Sequence, residues 1–274
     1  MKDEEQQRLM NLTLDGKIEQ SKKIITEALS RLSPDKLYVA WTGGKDSTTM
    51  LWLYKETCKE LGQPMPGAMF IDEGHVFEEI LELVDRVKRE WNVEVSFVKN
   101  TDVSDKAQKV GDLVRVANLN ERNQQEIEKL GFAEEAFPFE PESYVGNHLM
   151  KTVAMNVFIE DNGVKALSTA IRWDEQEARV TEEYFSPRTN PDHTRVHPIL
   201  HFKERDIWNT IHKHNIPFCS LYYQGYRSLG AKGSTFKTSD IPAWEQDLEN
   251  TPERAGRGQE KEEIMEQLRS LGYM

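Results

Sequence analysis

One stretch constrains this chain more than any other: Leu37-Tyr-Val-Ala-Trp-Thr42-Gly43-Gly44-Lys45-Asp46-Ser47-Thr48. An apolar run of strand character passes straight into two glycines, and Lys-Asp-Ser then opens a helical pattern. Glycine lets backbone amides come close to an anion, and a helix start adds free N–H groups and a partial positive charge. Thr42 and Ser47 bring hydroxyls and Lys45 brings a full charge, so residues 42–48 read as a phosphate-binding loop. The Walker arrangement differs. It wants Gly where this chain has Val39, and Ser or Thr where Asp46 follows the lysine.

The rest of the pattern extends that strand–loop–helix unit. Short apolar runs at Leu37–Trp41, Gly67–Ile71, Val93–Val98, Val164–Thr169 and Arg195–Ile199 predict strands. Between them, Ile18–Leu32, Ser47–Leu61 and Val76–Trp91 repeat apolar residues at helical spacing, with Val76, Ile80, Leu83, Val84 and Val87 on one face. Strands alternating with helices of this length predict βαβ units and a parallel sheet. Such sheets bind ligands beyond the carboxyl ends of their strands. Two segments break the alternation. Residues 101–146 hold no convincing strand and read as an inserted helical segment. Residues 225–258 hold five glycines and two prolines ahead of a charged helix, Lys261–Leu271, and read as a ligand-wrapping C-terminal extension. No linker divides the chain, so residues 1–274 are expected to form one domain.

Charge and cysteine content narrow the function. The balance of 35 basic against 47 acidic residues gives −12, which repels nucleic-acid backbones at long range. Two cysteines, Cys58 and Cys219, are too few for an all-thiolate iron–sulfur cluster or zinc site. The start, Met-Lys-Asp-Glu-Glu-Gln-Gln, has no apolar leader, and no run of 18 apolar residues occurs, so a cytoplasmic protein with no membrane partner is expected. His193, His197 and His201 recur every four residues, but Pro191 and Pro198 rule out a helix face there, and metal ligation is not expected of them.

The loop resembles the Ser-Gly-Gly-Lys-Asp-Ser signature of the ATP pyrophosphatase superfamily, with Thr42 where serine is usual. Further motifs place the resemblance in its phosphoadenylyl-sulfate reductase, ATP sulfurylase small-subunit and FAD synthetase group. They are Phe70-Ile-Asp72-Glu-Gly-His-Val-Phe77, Ala170-Ile-Arg172-Trp-Asp174-Glu175, Arg195-Val-His-Pro198, Asp206-Ile-Trp208, Ile216-Pro-Phe-Cys-Ser-Leu-Tyr222, Gly225-Tyr-Arg227-Ser228-Leu-Gly230 and Glu253-Arg254-Ala-Gly256-Arg257. The resemblance runs from about residue 20 to the end. It implies an α/β fold with a Rossmann-like parallel sheet flanked by helices, carrying the inserted segment and the C-terminal extension. It also implies ATP held by Thr42, Gly43, Gly44, Lys45, Asp46, Ser47 and Thr48, with Mg2+ at Asp46 and Asp72. Asp72, at a strand end, suits either Mg2+ or a ribose hydroxyl. Arg172 suits an oxyanion clamp, and Arg227, Arg254 and Arg257 a closure over bound nucleotide. Each of these residues also has a plainer reading, as a turn residue, an ion pair or a solvated helix-end charge.

Absences separate the branches of that group. The reductases use a C-terminal catalytic cysteine, and this chain ends Leu271-Gly-Tyr-Met274. Where cluster-bearing members have two cysteines, residues 230–235 read Gly-Ala-Lys-Gly-Ser-Thr. Neither alanine nor serine replaces a thiolate. Adenylyl transfer remains, with Lys45, Arg172 and Arg227 as the expected catalytic residues, ATP and Mg2+ as cofactors, and no iron–sulfur cluster. The resemblance makes sulfate the first acceptor and a GTPase large subunit the partner, and leaves homo-oligomerisation open. One departure, Trp173 in place of a second arginine, suits a larger or less charged acceptor such as FMN, whose isoalloxazine it would stack on. The resemblance is also compatible with a reductase-family protein that has lost its redox cysteine, and with an ATP-dependent thiolation enzyme.

Overall fold

The computed structural model describes residues 2–176 and 179–257. A short helix, α1 (Lys2–Met10), leads into α2 (Leu14–Arg31), which starts a turn earlier than its apolar periodicity suggests because Thr13 caps it by accepting from the Gly16 amide. The alternation then follows: β1 (Leu37–Ala40), α3 (Lys45–Leu61), β2 (Gly67–Ile71), α4 (Glu78–Trp91) and β3 (Val95–Val98). On α4, Ile80, Leu83, Val84 and Val87 are buried, the face their spacing predicts. Lys261–Leu271 lies outside the described residues.

The segment expected to be helical only is a correction. Besides α5 (Thr101–Ser104) and α6 (Glu121–Lys129), it holds β4 (Leu113–Arg115) and β5 (Ala136–Pro138), paired antiparallel with Val114 opposite Phe137. Three-residue strands are too short to show an alternation. They sit over their own core of Val103, Val114, Ile127, Phe137, Phe139, Leu149 and Val153. The chain returns through α7 (Tyr144–Asn147), a π-helical stretch at His148–Val153, and α8 (Ala154–Asp161). Then come β6 (Ala166–Ser168), β7 (Phe185–Thr189), β8 (Asp192–Val196) and α9 (Glu204–His214).

The six-stranded sheet runs β3-β2-β1-β6-β8-β7, parallel except for β7, which pairs antiparallel with β8. β7 is unforeseen: Phe-Ser-Pro-Arg-Thr has little apolar signal and contains proline, which an edge strand tolerates. β8 begins before the expected Arg195, and Ile199 and Leu200 are buried in the turn after it rather than in the strand. The loop at residues 42–48 follows β1 in the middle of the sheet, flanked by the ends of β2 and β6. Residues 225–257 pack across those ends without long elements, pinned by a bridge between Thr235 and Arg257.

Of the three spaced histidines, His193 and His201 are held within the fold. His201 donates through Nε2 to the Lys17 carbonyl and accepts from the Tyr184 hydroxyl, and Nε2 of His193 accepts from Arg195. Burial pushes the pKa values of His193 and His201 down to about 4, and that of His197 to about 3. All three are neutral in the folded protein at pH 6, whereas an unfolded imidazole near 6.5 binds a proton there. The unfolded state therefore binds more protons, and stability should fall as pH drops from about 6.5 toward 4. His197 and His201, the deepest two, would set a slope of roughly 2–3 kcal/mol per pH unit. Urea midpoints across pH 4–8 measure this, and a flat profile below 6.5 would contradict neutral burial.

Candidate functional site

The loop between β1 and α3 is shaped by two devices. Gly43 takes a positive φ of 73°, and a Cβ there would lie 2.6 Å from Ile80 Cγ2, so glycine is required for α4 to approach. Ser47 and Thr42 cross-brace the turn: the Thr42 amide donates to Ser47 Oγ (3.2 Å), the two hydroxyls meet at 3.1 Å, and Thr42 Oγ1 accepts from the Gly44 amide (3.3 Å). Gly44 precedes α3 as its N-cap and brings no side-chain cap, and the Lys45 amide donates to the Tyr222 hydroxyl at 2.9 Å. With the Thr42, Gly44 and Lys45 amides engaged in this way, the first-turn amides of Asp46 and Ser47 are the ones that face outward from the helix start.

Behind the loop lies a buried ionic cluster. Lys45 Nζ contacts Glu253, Asp46 (3.1 Å) and Glu204 (3.8 Å). Arg172, fully buried, reaches Asp46, Glu253 and Asp174 (2.9 Å). Arg227 binds Glu204 (2.7 Å) and the carbonyls of Asp247 and Leu248. Burial opposes the charge on Lys45 and Arg172, but the surrounding carboxylates outweigh it and hold both well above their ordinary pKa. Burial also works against the Glu253 carboxylate, yet Arg172 and Lys45 keep it well below the usual range. Glu204 is raised by burial and by Glu253. Three cations, Lys45, Arg172 and Arg227, therefore face four carboxylates, Asp46, Asp174, Glu204 and Glu253. Among the described residues the cluster has no spare positive charge for a ligand, and Glu253 holds both Lys45 and Arg172.

The cluster opens on a cleft of about 250 Å³. Of the residues singled out in the sequence, Thr42, Gly44, Lys45, Asp46, Ser47, Arg254 and Arg257 line it. Gly43, Thr48, Asp72, Arg172 and Arg227 do not. Thr48 is turned to Trp41, accepting from its indole N–H at 3.0 Å. Asp72 accepts from the Gly74 amide and stands 3.7 Å from Lys99. Arg227, expected as a clamp on a ligand, is committed instead to fastening residues 247–251 to α9. Trp173 is packed against Tyr184 and grouped with Ile171 and Leu200, with Nε1 donating to the Glu182 carbonyl, so it offers no stacking face to the cleft.

Sequence reasoning missed several lining residues. Tyr222 and Glu253 belong to the motifs at 216–222 and 253–257, but a lone phenol or acid carries no local signal of a partner some 200 residues away. Lys151, paired with Glu73 and with Glu142 (3.1 Å), comes from the π-helical stretch. Glu175 holds Arg179 and Arg254 (3.4 Å) at the rim. Gly230 lets the Arg257 guanidinium lie against backbone, since a Cβ there would sit 2.1 Å from it.

Magnesium bound with a polyphosphate needs only one or two protein carboxylates. Asp46 lines the cleft, but its two oxygens are held by Arg172 and Lys45, so it would ligate the ion only by releasing one of them. Asp72 does not line it, and no cluster of three metal-binding side chains occurs among the described residues.

Residues 36–237 match the sequence model of the phosphoadenosine phosphosulfate reductase domain. Sulfate adenylyltransferase subunit 2 of Chelativorans sp. is 26% identical over 214 residues, 69% of this chain and 61% of that protein. The chain thus spans about three fifths of that relative's length. Adenosine 5'-phosphosulfate reductase of Geobacillus kaustophilus is 23% identical over 196 residues, covering 70% of this chain and 79% of the relative. Among solved structures, Candida glabrata FMN adenylyltransferase in complex with FAD and inorganic pyrophosphate superposes with a TM-score of 0.60 at 19% identity, over 90% of this chain and 75% of that one. At that identity the likeness is one of fold.

Proposed function

The chain belongs to the phosphoadenosine phosphosulfate reductase domain family, and within it we propose an adenylyltransferase rather than a reductase. One observation carries this: the loop at 42–48 and Lys45 open into the cleft, while the only two thiols of the chain are buried and do not line it. Burial pushes Cys58 and Cys219 up to about 11, so neither supplies the thiolate that sulfonucleotide reduction needs.

In the proposed reaction the β- and γ-phosphates of ATP lie on the loop amides and Lys45, displacing Glu253. An acceptor oxyanion forms a bond to the α-phosphorus as the bond to the bridging oxygen of pyrophosphate breaks. Magnesium, held by the phosphates and Asp46, would neutralise charge on the leaving group. No covalent enzyme intermediate is required, so catalysis rests on positioning and on charge already in place. Sulfate is the acceptor favoured by the kinship with sulfate adenylyltransferase subunit 2, and a large subunit is the partner that name suggests.

Pyrophosphate release from ATP and magnesium, measured with sulfate, with FMN and with no acceptor, tests this. Release that depends on sulfate is expected. Release only with FMN would replace sulfate as the acceptor, in keeping with the adenylyltransferase fold neighbour. No release with either, despite ATP binding, would sink the adenylyltransferase reading.

A further inference from the structure

The cleft wall at the end of β6, beside the loop at residues 42–48, carries a polar chain that the proposed reaction does not use. Thr169 follows β6 and lines the cleft, and its amide continues the ladder to the Val196 carbonyl. Its hydroxyl lies 2.7 Å from Nδ1 of His197, which is 1% exposed at the end of β8. The other ring nitrogen, Nε2, has no hydrogen-bond partner among the described residues but faces Glu182 Oε2 at 3.7 Å, and Arg188 stands 3.4 Å from the same oxygen. Cleft, Thr169, His197, Glu182 and Arg188 thus form one row.

The row has a direction. A neutral ring carries a single proton, and a lone pair at Nε2 would be repelled by the carboxylate it faces, whereas an N–H is attracted. We assign the proton to Nε2, facing that carboxylate, so that Nδ1 accepts from the Thr169 hydroxyl. With its hydrogen pointed away from the cleft, the Thr169 oxygen keeps its lone pairs for a ligand. A pair serving the fold alone would be better made of apolar side chains, which fill the same volume without stranding a buried nitrogen.

We propose that Thr169 is a ligand-contacting residue that accepts a hydrogen bond from an N–H or O–H group of the substrates, with His197 and Glu182 as positioning residues that fix its hydroxyl. This rests on the reading of the cleft as an ATP site. The test uses the full chain and calorimetric titration with two probes, ATP and purine riboside triphosphate, which lacks the exocyclic amino group. Acceptor KM and kcat are measured alongside. Thr169→Val keeps the shape and removes the hydroxyl, and Thr169→Ser restores it.

If the donor is on the nucleotide, Thr169→Val should bind ATP about tenfold more weakly and Thr169→Ser should recover most of the affinity. An amino donor leaves the analogue's affinity unchanged by the substitution, whereas a ribose hydroxyl weakens both probes alike. If the donor is on an acceptor such as FMN, which unlike sulfate carries N–H and O–H groups, ATP affinity holds and acceptor KM rises about tenfold with kcat retained. In either case His197→Phe should reproduce the Thr169→Val loss, and the double variant should be no weaker than Thr169→Val, because His197 acts through that hydroxyl. Losses that add in the double variant, or a Thr169→Val protein within twofold of the parent in both ATP affinity and acceptor KM, would overturn the assignment. A parent protein that fails to bind ATP would instead overturn the reading of the cleft.

Discussion

Lys45→Met is expected to lower ATP-dependent pyrophosphate release by about 10²- to 10³-fold, the loss seen when one preorganised charge or donor is taken from a developing oxyanion. Lys45 is the first residue of α3 and is 1% exposed at the floor of the cleft. The substitution should also cost stability, because it leaves Glu253, Asp46 and Glu204 facing one another with less compensation. Removing one partner of a buried charge pair typically costs about 3–5 kcal/mol. The two losses separate in one experiment: activity measured well below the variant's thermal midpoint reports only the chemistry. Activity that recovers fully once the variant is assayed below its melting range would remove Lys45 from the reaction and leave it a structural charge.

The readable part of this protein was the part written locally. Residues 37–48 carry strand, turn chemistry and helix start in twelve consecutive positions, and each does there what its type suggests: Gly43 takes a positive φ, Ser47 and Thr42 brace the turn, and Lys45 faces the cleft. The same holds for α4, whose apolar face needs only the 3.6-residue period. What escaped was set by distance along the chain. Asp46 meets Arg172 from 126 residues away, and Lys45 meets Glu253 from 208. Nothing in the local text says that Arg172 is buried under three carboxylates rather than held open for a ligand, or that Arg227 fastens residues 247–251. The missed strands β4, β5 and β7 fail for a related reason. Each is short or proline-bearing and is specified by its partner's edge rather than by an alternation of its own.

Glu253→Gln is expected to separate ligand-free stability from ligand affinity, moving them in opposite directions. Without ligand, the Glu253 carboxylate is the counter-charge shared by Lys45 and Arg172. Its loss should cost about 3 kcal/mol, which for a chain of this size is on the order of 10 °C in thermal midpoint. With pyrophosphate or ATP present the sign reverses. Adding phosphate charge to a cluster of three cations and four carboxylates is unfavourable until one carboxylate leaves. Glu253 is the member carried by the C-terminal segment, and the 250 Å³ it helps to enclose is small for a site that must hold a nucleotide. The variant should therefore bind ATP more tightly, by about tenfold if displacement of the carboxylate costs ~1.4 kcal/mol. The midpoint lost without ligand should return as a larger upward shift when ligand is added. Because Glu253 is held well below the ordinary carboxylate range, lowering the pH to 5 does not neutralise it, and the parent protein should show no acid-side gain in affinity from this group. Weaker ATP binding by Glu253→Gln would mean that the carboxylate stays in the occupied site as a ligand partner and is not a stand-in for phosphate.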